Sequence, residues 1–257
     1  MPPRLTLLLA ACFCLAGALG LPRARSHVAA GAPQPMAAAV PPAADGRAIN
    51  LSRSAPELLV PARVRRLSNA EYDATVQALL GTQLAPGSNF APDARQAGFT
   101  ENEAQRIDPV LARQVAAAAE NLAAEARPRF SVLAPCATPQ APERCAERFI
   151  TGFGARAYRR PLRLDERAEL LEVFREGTQE GGYEDGVQLV ISALLQAPSF
   201  LYLTELGSAS LADVAQAGRV QLDDYELASA LSYLMTGGPP DQKLLEAAAT
   251  GVLQLPE

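Results

Sequence analysis

The chain has 257 residues, a formal net charge of −5 and an apolar share of 49% that leans on Ala and Leu, with 5% aromatic residues and no Trp. That length accommodates one large domain or two small ones. The composition favours helices over sheet, and the negative balance gives no electrostatic footprint for a polyanion, so nucleic acid is not an expected partner.

Residues 1–20 read as a targeting segment, with Arg4 as a minimal positive region and an apolar run from Leu5 to Leu19. Ala18-Leu19-Gly20 and Val28-Ala29-Ala30 each offer small residues for cleavage. A second reading stands beside the first. Leu9-Ala10-Ala11-Cys12 fits the pattern at which bacterial lipoproteins are cut and acylated, which makes Cys12 a lipidation site, although the apolar run before it is short. No later apolar stretch reaches the roughly 20 residues needed to span a bilayer. Membrane contact is therefore expected only through the N-terminal segment. Residues 21–61, rich in Ala and Pro and without apolar periodicity, read as a disordered tether.

Order is expected from VRRLSNAEYDATVQALLG onward. Ser68 and Glu71 have the spacing of a capping box, Leu67 and Tyr72 that of a hydrophobic staple, and Tyr72, Val76, Leu79 and Leu80 share a helical face that Gly81 ends. A loop rich in Pro, Gly, Asn and Asp follows. Asp108-Pro109 then opens a long helix to about Arg127, with Leu111, Val115, Ala118 and Leu122 inward. A helix from Cys145 carries Ala146, Phe149, Ile150, Phe153 and Ala157 on one face and is expected to stop at Pro161. The next begins near Asp165, with Ala168, Leu171 and Phe174 inward, and ends at Gly177. From Tyr183 to about Glu205 the chain reads as mostly helical, broken near Ala197-Pro198, and apolar so widely around its axis that it should be the central helix of the core. Asp223 and Glu226 repeat the capping box, Leu222 and Leu227 the staple, with Leu227, Leu231 and Leu234 pointing inward. Pro240-Asp241 opens a last helix that stops near Gly251. The fold class is all-α, a compact multi-helix bundle with short connections.

Cys136 and Cys145 are the pair left outside the signal, and in an oxidising compartment they suggest a disulfide across a short Pro-rich loop. Zinc would need further Cys or His at compact spacing, and the chain's one His is His27, in the tail. No metal or other cofactor is expected. Nor is a catalytic constellation visible: there is no base for a triad, no Gly-rich phosphate loop, no His-Glu-x-x-His and no haem-attachment motif. Asp223, Asp224 and Glu226 form an acidic cluster that capping largely explains.

Two stretches remain as candidate ligand sites. In GARAYRRPL, Arg156, Tyr158, Arg159 and Arg160 close a helix. Cations there satisfy C-terminal carbonyls and the helix dipole, or together hold an anion or a partner; Arg160 precedes proline and has Asp165 and Glu166 near it in sequence. The loop at 86–103 is long for a helical domain. Asn89, Asp93, Thr100, Glu101, Asn102 and Glu103 offer oxygens for a sugar or a hard cation, though not at EF-hand spacing.

RRLSNAEYDATVQALLG resembles the opening module of large secreted bacterial proteins, of planctomycete and myxobacterial type, known as domain of unknown function 1587. CAERFITGFGARAYRRPLRLDE, continuing to LLQAPSFLYLTE, resembles the module numbered 1595, and YELASALSYLMTGGPPDQKLLEAAATGVL the start of that numbered 1592. The resemblance implies modules at 62–135, 136–207 and 220–257, the last truncated. Arg163 stands where relatives usually carry Thr or Ser, which would pass the helix cap to Asp165; Met235 and Thr236 stand where Trp is common. In some relatives a c-type haem domain is fused to these modules, which implies envelope electron transfer or polymer degradation only indirectly. The expected function is a non-enzymatic, exported binding or scaffold module with a protein partner or missing downstream modules. The alternative is a fragment or subunit of an envelope redox or polysaccharide-processing enzyme.

Overall fold

The computed structural model describes residues 59–136, 141–207 and 218–254. The expected targeting segment with Cys12, and the expected tether as far as residue 58, lie outside the described residues. Among these, the helices are α1 (Asn69–Leu80), α2 (Pro109–Ala126), α3 (Phe130–Leu133), α4 (Pro142–Tyr158), α5 (Leu164–Gly181), α6 (Tyr183–Gln196), α7 (Pro198–Leu201), α8 (Asp224–Thr236) and α9 (Gln242–Thr250). The sheets are two small antiparallel ribbons. One pairs β1 (Val60–Pro61) with β4 (Arg219–Val220), and the other pairs β2 (Arg63–Arg66) with β3 (Tyr202–Glu205). The fold is all-α in class, with the ribbons as its only sheet among the described residues.

Helix α6 is the centre, as its all-round apolarity required. Val187, Val190, Ile191, Leu194 and Leu195 are fully buried, and α6 packs chiefly on α5 and α2. The α5–α6 crossing is close because two glycines meet there. A Cβ on Gly177 would come 2.8 Å from the Gly186 Cα, and one on Gly186 would come 2.6 Å from the Phe174 ring. Gly177 therefore serves packing rather than termination, and α5 runs on to Gly181 instead of ending where the sequence suggested. Its inward residues are Leu170 and Phe174; Ala168, expected inward, is exposed. The α5 cap does not pass to Asp165. Arg163 occupies the N-cap position, and its backbone N–H is satisfied by the Glu166 carboxylate at 2.8 Å.

The first helix forms as its caps dictate. Ser68 Oγ accepts from the Glu71 N–H, Glu71 Oε2 accepts from the Ser68 N–H at 2.8 Å, and Gly81 is left-handed at φ 66°. Asp108 caps α2 by accepting from Val110 and Leu111. The chain stays helical beyond Pro128, through a 3-10 turn into α3, because proline is tolerated in a first turn. Cys136 and Cys145 form a disulfide that joins the end of this segment to α4.

Three expectations fail for tertiary reasons. The tether does not reach Pro61, since Val60 and Pro61 already pair with Val220 and Arg219. Residues 202–205 are strand rather than helix, paired with β2 in the register Arg63↔Glu205 to Arg66↔Tyr202. Helix α8 is turned the other way. It buries Ala228, Ser229, Ser232 and Tyr233, while Leu231 is 42% and Leu234 80% exposed. Small side chains let α8 lie close on β3, and the Tyr233 hydroxyl is hydrogen-bonded to Thr75 Oγ1 at 2.8 Å. Hydroxyl pairing and close approach outweigh leucine burial at this face.

This orientation has a measurable consequence. Leu234→Asp should change stability by less than about 0.5 kcal/mol, as for an exposed site. Tyr233→Ala should cost about 3–5 kcal/mol, as for a buried aromatic. Urea denaturation of both variants checks the pair.

Candidate functional site

The arginine stretch has an internal partner at every position. Helix α4 ends at Tyr158, ahead of Pro161, because Arg159 takes the left-handed conformation at φ 61°. That conformation normally belongs to glycine at this place. It turns the Arg159 side chain inward, where the residue is 3% exposed. Nη1 donates to the carbonyls of Ala157 and Phe200, and Nη2 to those of Ser199 and Tyr202, at 2.9–3.1 Å. The guanidinium also lies 6.0 Å from the Tyr233 ring centroid. Desolvation lowers the Arg159 pKa from its ordinary value, partly countered by Tyr233. Arg156 donates to the Ala78 carbonyl, near the end of α1 rather than of its own helix. Arg160 makes a two-pronged pair with Glu166 at 2.8 and 2.7 Å and lies over the Tyr158 ring. Burial pushes the Tyr158 hydroxyl up to about 12. The three guanidiniums thus serve the fold itself, with Ser199 shared between Arg159 and Arg160.

The acidic cluster is engaged too, although Asp224 Oδ1 is buried without a hydrogen-bond partner among the described residues. Asp223 caps α8 by accepting from the Glu226 N–H at 2.8 Å. Glu226 accepts from the N–H groups of Leu206 and Gly207, and burial raises its pKa. Asp224 Oδ2 accepts from Gln254.

The loop after α1 is where space opens. Phe90 is buried against Tyr72, with ring centroids 5.1 Å apart, and fixes the near half of the loop. Asp93 is locked to β2 and α1: Oδ1 accepts from Arg66 at 2.6 Å and Oδ2 from the Asn69 N–H at 2.7 Å. Buried Gln105 ties the far half by bonding Ala94 N, Ala94 O and Thr100 O. Asn89 is exposed, and its carbonyl accepts from Gln114. Between this loop and β2 lies a polar cleft of about 490 Å³, lined by Arg63, Arg65, Gln96, Glu101, Asn102, Glu103 and Ala104.

Of the loop residues expected to bind, Glu101, Asn102 and Glu103 meet in this cleft; Asn89 and Asp93 do not line it. Asn102 spends its amide on the carbonyls of Ala94 and Phe99 and on the Ala104 N–H, so it shapes the wall. The Thr100 hydroxyl, at 2.7 Å, is the main cause of a lowered Glu101 pKa. Sequence reasoning missed Arg63 and Arg65. The available signal was their spacing of two, which puts both on one face of a strand. Each is pinned by a two-pronged carboxylate, Arg63 by Glu205 at 2.6 and 2.9 Å and Arg65 by Glu71 at 2.7 and 2.8 Å. The bond to Glu205 is also the main cause of a raised Arg63 pKa. No group of three His, Cys, Asp or Glu suited to a metal occurs among the described residues.

Three family models match in chain order, each described as a protein of unknown function: DUF1587 over residues 65–128, DUF1595 over 145–205 and DUF1592 over 222–257. The chain is built from DUF1587, DUF1595 and DUF1592 modules in series. No curated protein and no solved structure matches it. The loop side of the cleft lies within the DUF1587 span, together with Arg65 of β2. Arg159 belongs to the DUF1595 span and Tyr233 to the DUF1592 span, so the buried cation lies where those two meet.

Two outcomes check these roles. Arg159→Gly should destabilise the protein by about 2–4 kcal/mol although glycine is the better residue at that backbone angle, because buried carbonyls lose their donor; calorimetry reads the loss. Glu166 is held at about 2, chiefly by Arg160. A carboxylate with a depressed folded-state pKa contributes stability that is complete above its ordinary value of 4.5 and is lost as pH falls toward about 2. Glu166→Gln should remove that part of the acid limb in stability measured from pH 6 to pH 2.

Proposed function

We propose that this chain is a non-enzymatic, exported binding module of the cell envelope, which holds a small polar ligand in the cleft between β2 and the loop at 94–104. One observation carries this reading. Both arginines on the β2 wall are immobilised by carboxylates, while Glu101 and Glu103 complete the lining. Polar groups held in place before a ligand arrives lower the ordering cost of binding. The Cys136–Cys145 disulfide supports an oxidising compartment. Among the described residues no helix is long and apolar enough to cross a membrane.

A second reading makes the chain a subunit of an envelope redox or polysaccharide-processing enzyme. The apolar stripe of Leu231, Leu234 and Met235 on α8 favours it, since that face offers contact area to another protein.

The test is a thermal-shift screen of the oxidised protein against sugars, carboxylated and phosphorylated compounds and Ca²⁺. A cleft ligand should raise the midpoint as its concentration passes its Kd. Arg63→Ala should abolish the rise, and the protein should release no reducing ends from a polysaccharide. Release of reducing ends by the chain alone would favour the enzyme reading.

A further inference from the structure

We infer that the ligand of this cleft is a neutral carbohydrate, bound by hydrogen bonds on the cleft walls and by stacking on Phe99, which closes the turn beside the cleft-lining Gln96. The inference rests on the cleft reading above and specifies its ligand class.

Charge comes first. Arg63 is matched by Glu205 and Arg65 by Glu71, so the lining arginines are already neutralised. Glu101 and Glu103 feel Arg65 and Arg63 at a distance but form none of the described ion pairs, and the cleft leans negative. A phosphate or uronate would meet two carboxylates before it met a free cation. Hydroxyls fit better, because each one both donates and accepts. The walls offer both partners: Arg63 Nη1, which makes none of the described hydrogen bonds, and the Gln96 amide as donors, with Glu101 and Glu103 as acceptors. At about 490 Å³ the cleft lies within the usual range of small-molecule sites.

The aromatic is the independent observation. Phe99 is 68% exposed, while Phe90, in the same loop, is buried. It sits beside Ala97-Gly98, a two-residue turn with φ of 51° and 90°. Gln96 and Phe99 exchange backbone hydrogen bonds of 2.9 and 3.0 Å across that turn. The Phe99 carbonyl also accepts from Asn102 at 2.8 Å. The backbone beneath the ring is therefore fixed, with cleft-lining Gln96 before it and Glu101 two residues after. An exposed ring offers a flat apolar face carrying a negative quadrupole. The C–H face of a pyranose matches that surface, whereas an inorganic ion or a small charged acid gains nothing from it.

Calorimetric titration of the full oxidised chain tests this with neutral tetrasaccharides (β-glucan, β-xylan and chitin types), tetragalacturonate, inorganic phosphate and tetralysine. A neutral tetrasaccharide should bind, and tetragalacturonate should bind more weakly than its neutral counterparts. Phe99→Ala should weaken that binding about tenfold or more without moving the melting temperature, and Glu101→Gln/Glu103→Gln should weaken it as well. Tighter binding of phosphate, tetragalacturonate or tetralysine, abolished by Arg63→Ala or by the double glutamine variant, would overturn the carbohydrate assignment and leave the cleft standing. Neutral binding indifferent to Phe99 and to both glutamates would place the sugar elsewhere and overturn the assignment. No binding of any probe by protein with an unchanged melting transition would overturn the assignment and the cleft reading together.

Discussion

The buried guanidinium of Arg159 organises the meeting of the DUF1595 and DUF1592 modules. Removing a guanidinium from water is costly, and here no carboxylate is among its described hydrogen-bond partners. Arg159 is held instead by four carbonyl oxygens and the ring of Tyr233. Two of those carbonyls, of Ser199 and Phe200, would receive the N–H groups of Leu203 and Thr204 if α7 continued as a helix. By taking them, Arg159 ends α7 after one turn and releases the chain into β3. The Leu201 carbonyl completes the exchange by accepting from the Leu67 N–H at 2.8 Å. Helix end, strand start and the entry to α1 are thereby settled in one place.

The ribbon that follows carries consequences for the cleft. Once β3 leaves α7 in extended form, it pairs with β2 and brings Glu205 opposite Arg63. Leu203 joins Leu67 and Tyr233 in a small apolar cluster beneath the ribbon. Glu71 serves two purposes at the other end of β2. Its carboxylate satisfies the Ser68 N–H of the capping box and grips Arg65. Secondary-structure capping and cleft construction therefore use the same side chain, so the wall of the cleft is as rigid as the start of α1. The loop opposite is held as firmly by Asp93 and Gln105.

Helix α8 shows the opposite balance. Tyr233 is drawn in by Thr75 and by Arg159, and Ser232 by the Gly238 carbonyl. Directed polar contacts thus set the rotation of the helix, leaving Leu231, Leu234 and Met235 toward solvent. The molecule then carries two surfaces of unlike chemistry: a polar cleft on the DUF1587 side and an apolar stripe on the DUF1592 side. The proposed binding module would use the first for its ligand and offer the second to a protein.

Whatever depends on near neighbours in the chain could be read from local sequence. The capping boxes at Ser68 and Asp223, the Asp108 and Asp241 caps, the glycine stops at Gly81 and Gly251 and the wide apolar surface of α6 were legible because caps, stops and apolar periodicity act within a few residues. The pairing of Cys136 with Cys145 was legible because they are the two cysteines outside the first 20 residues. Half of the cleft was legible too, through Glu101, Asn102 and Glu103. Tertiary structure alone decided the rest, because each remaining choice rests on a partner far away in sequence. Gly177 became a packing contact because Gly186 faces it, and residues 202–205 became a strand because Arg159 and β2 claim their surroundings. The leucines of α8 turned outward because a tyrosine found Thr75, 158 positions earlier. Arg63 became a cleft wall because Glu205 arrives from 142 positions away, and Arg65 shares that wall because β2 pairs with the distant β3. No local pattern encodes such meetings; they exist only once the core has brought the strands and helices together.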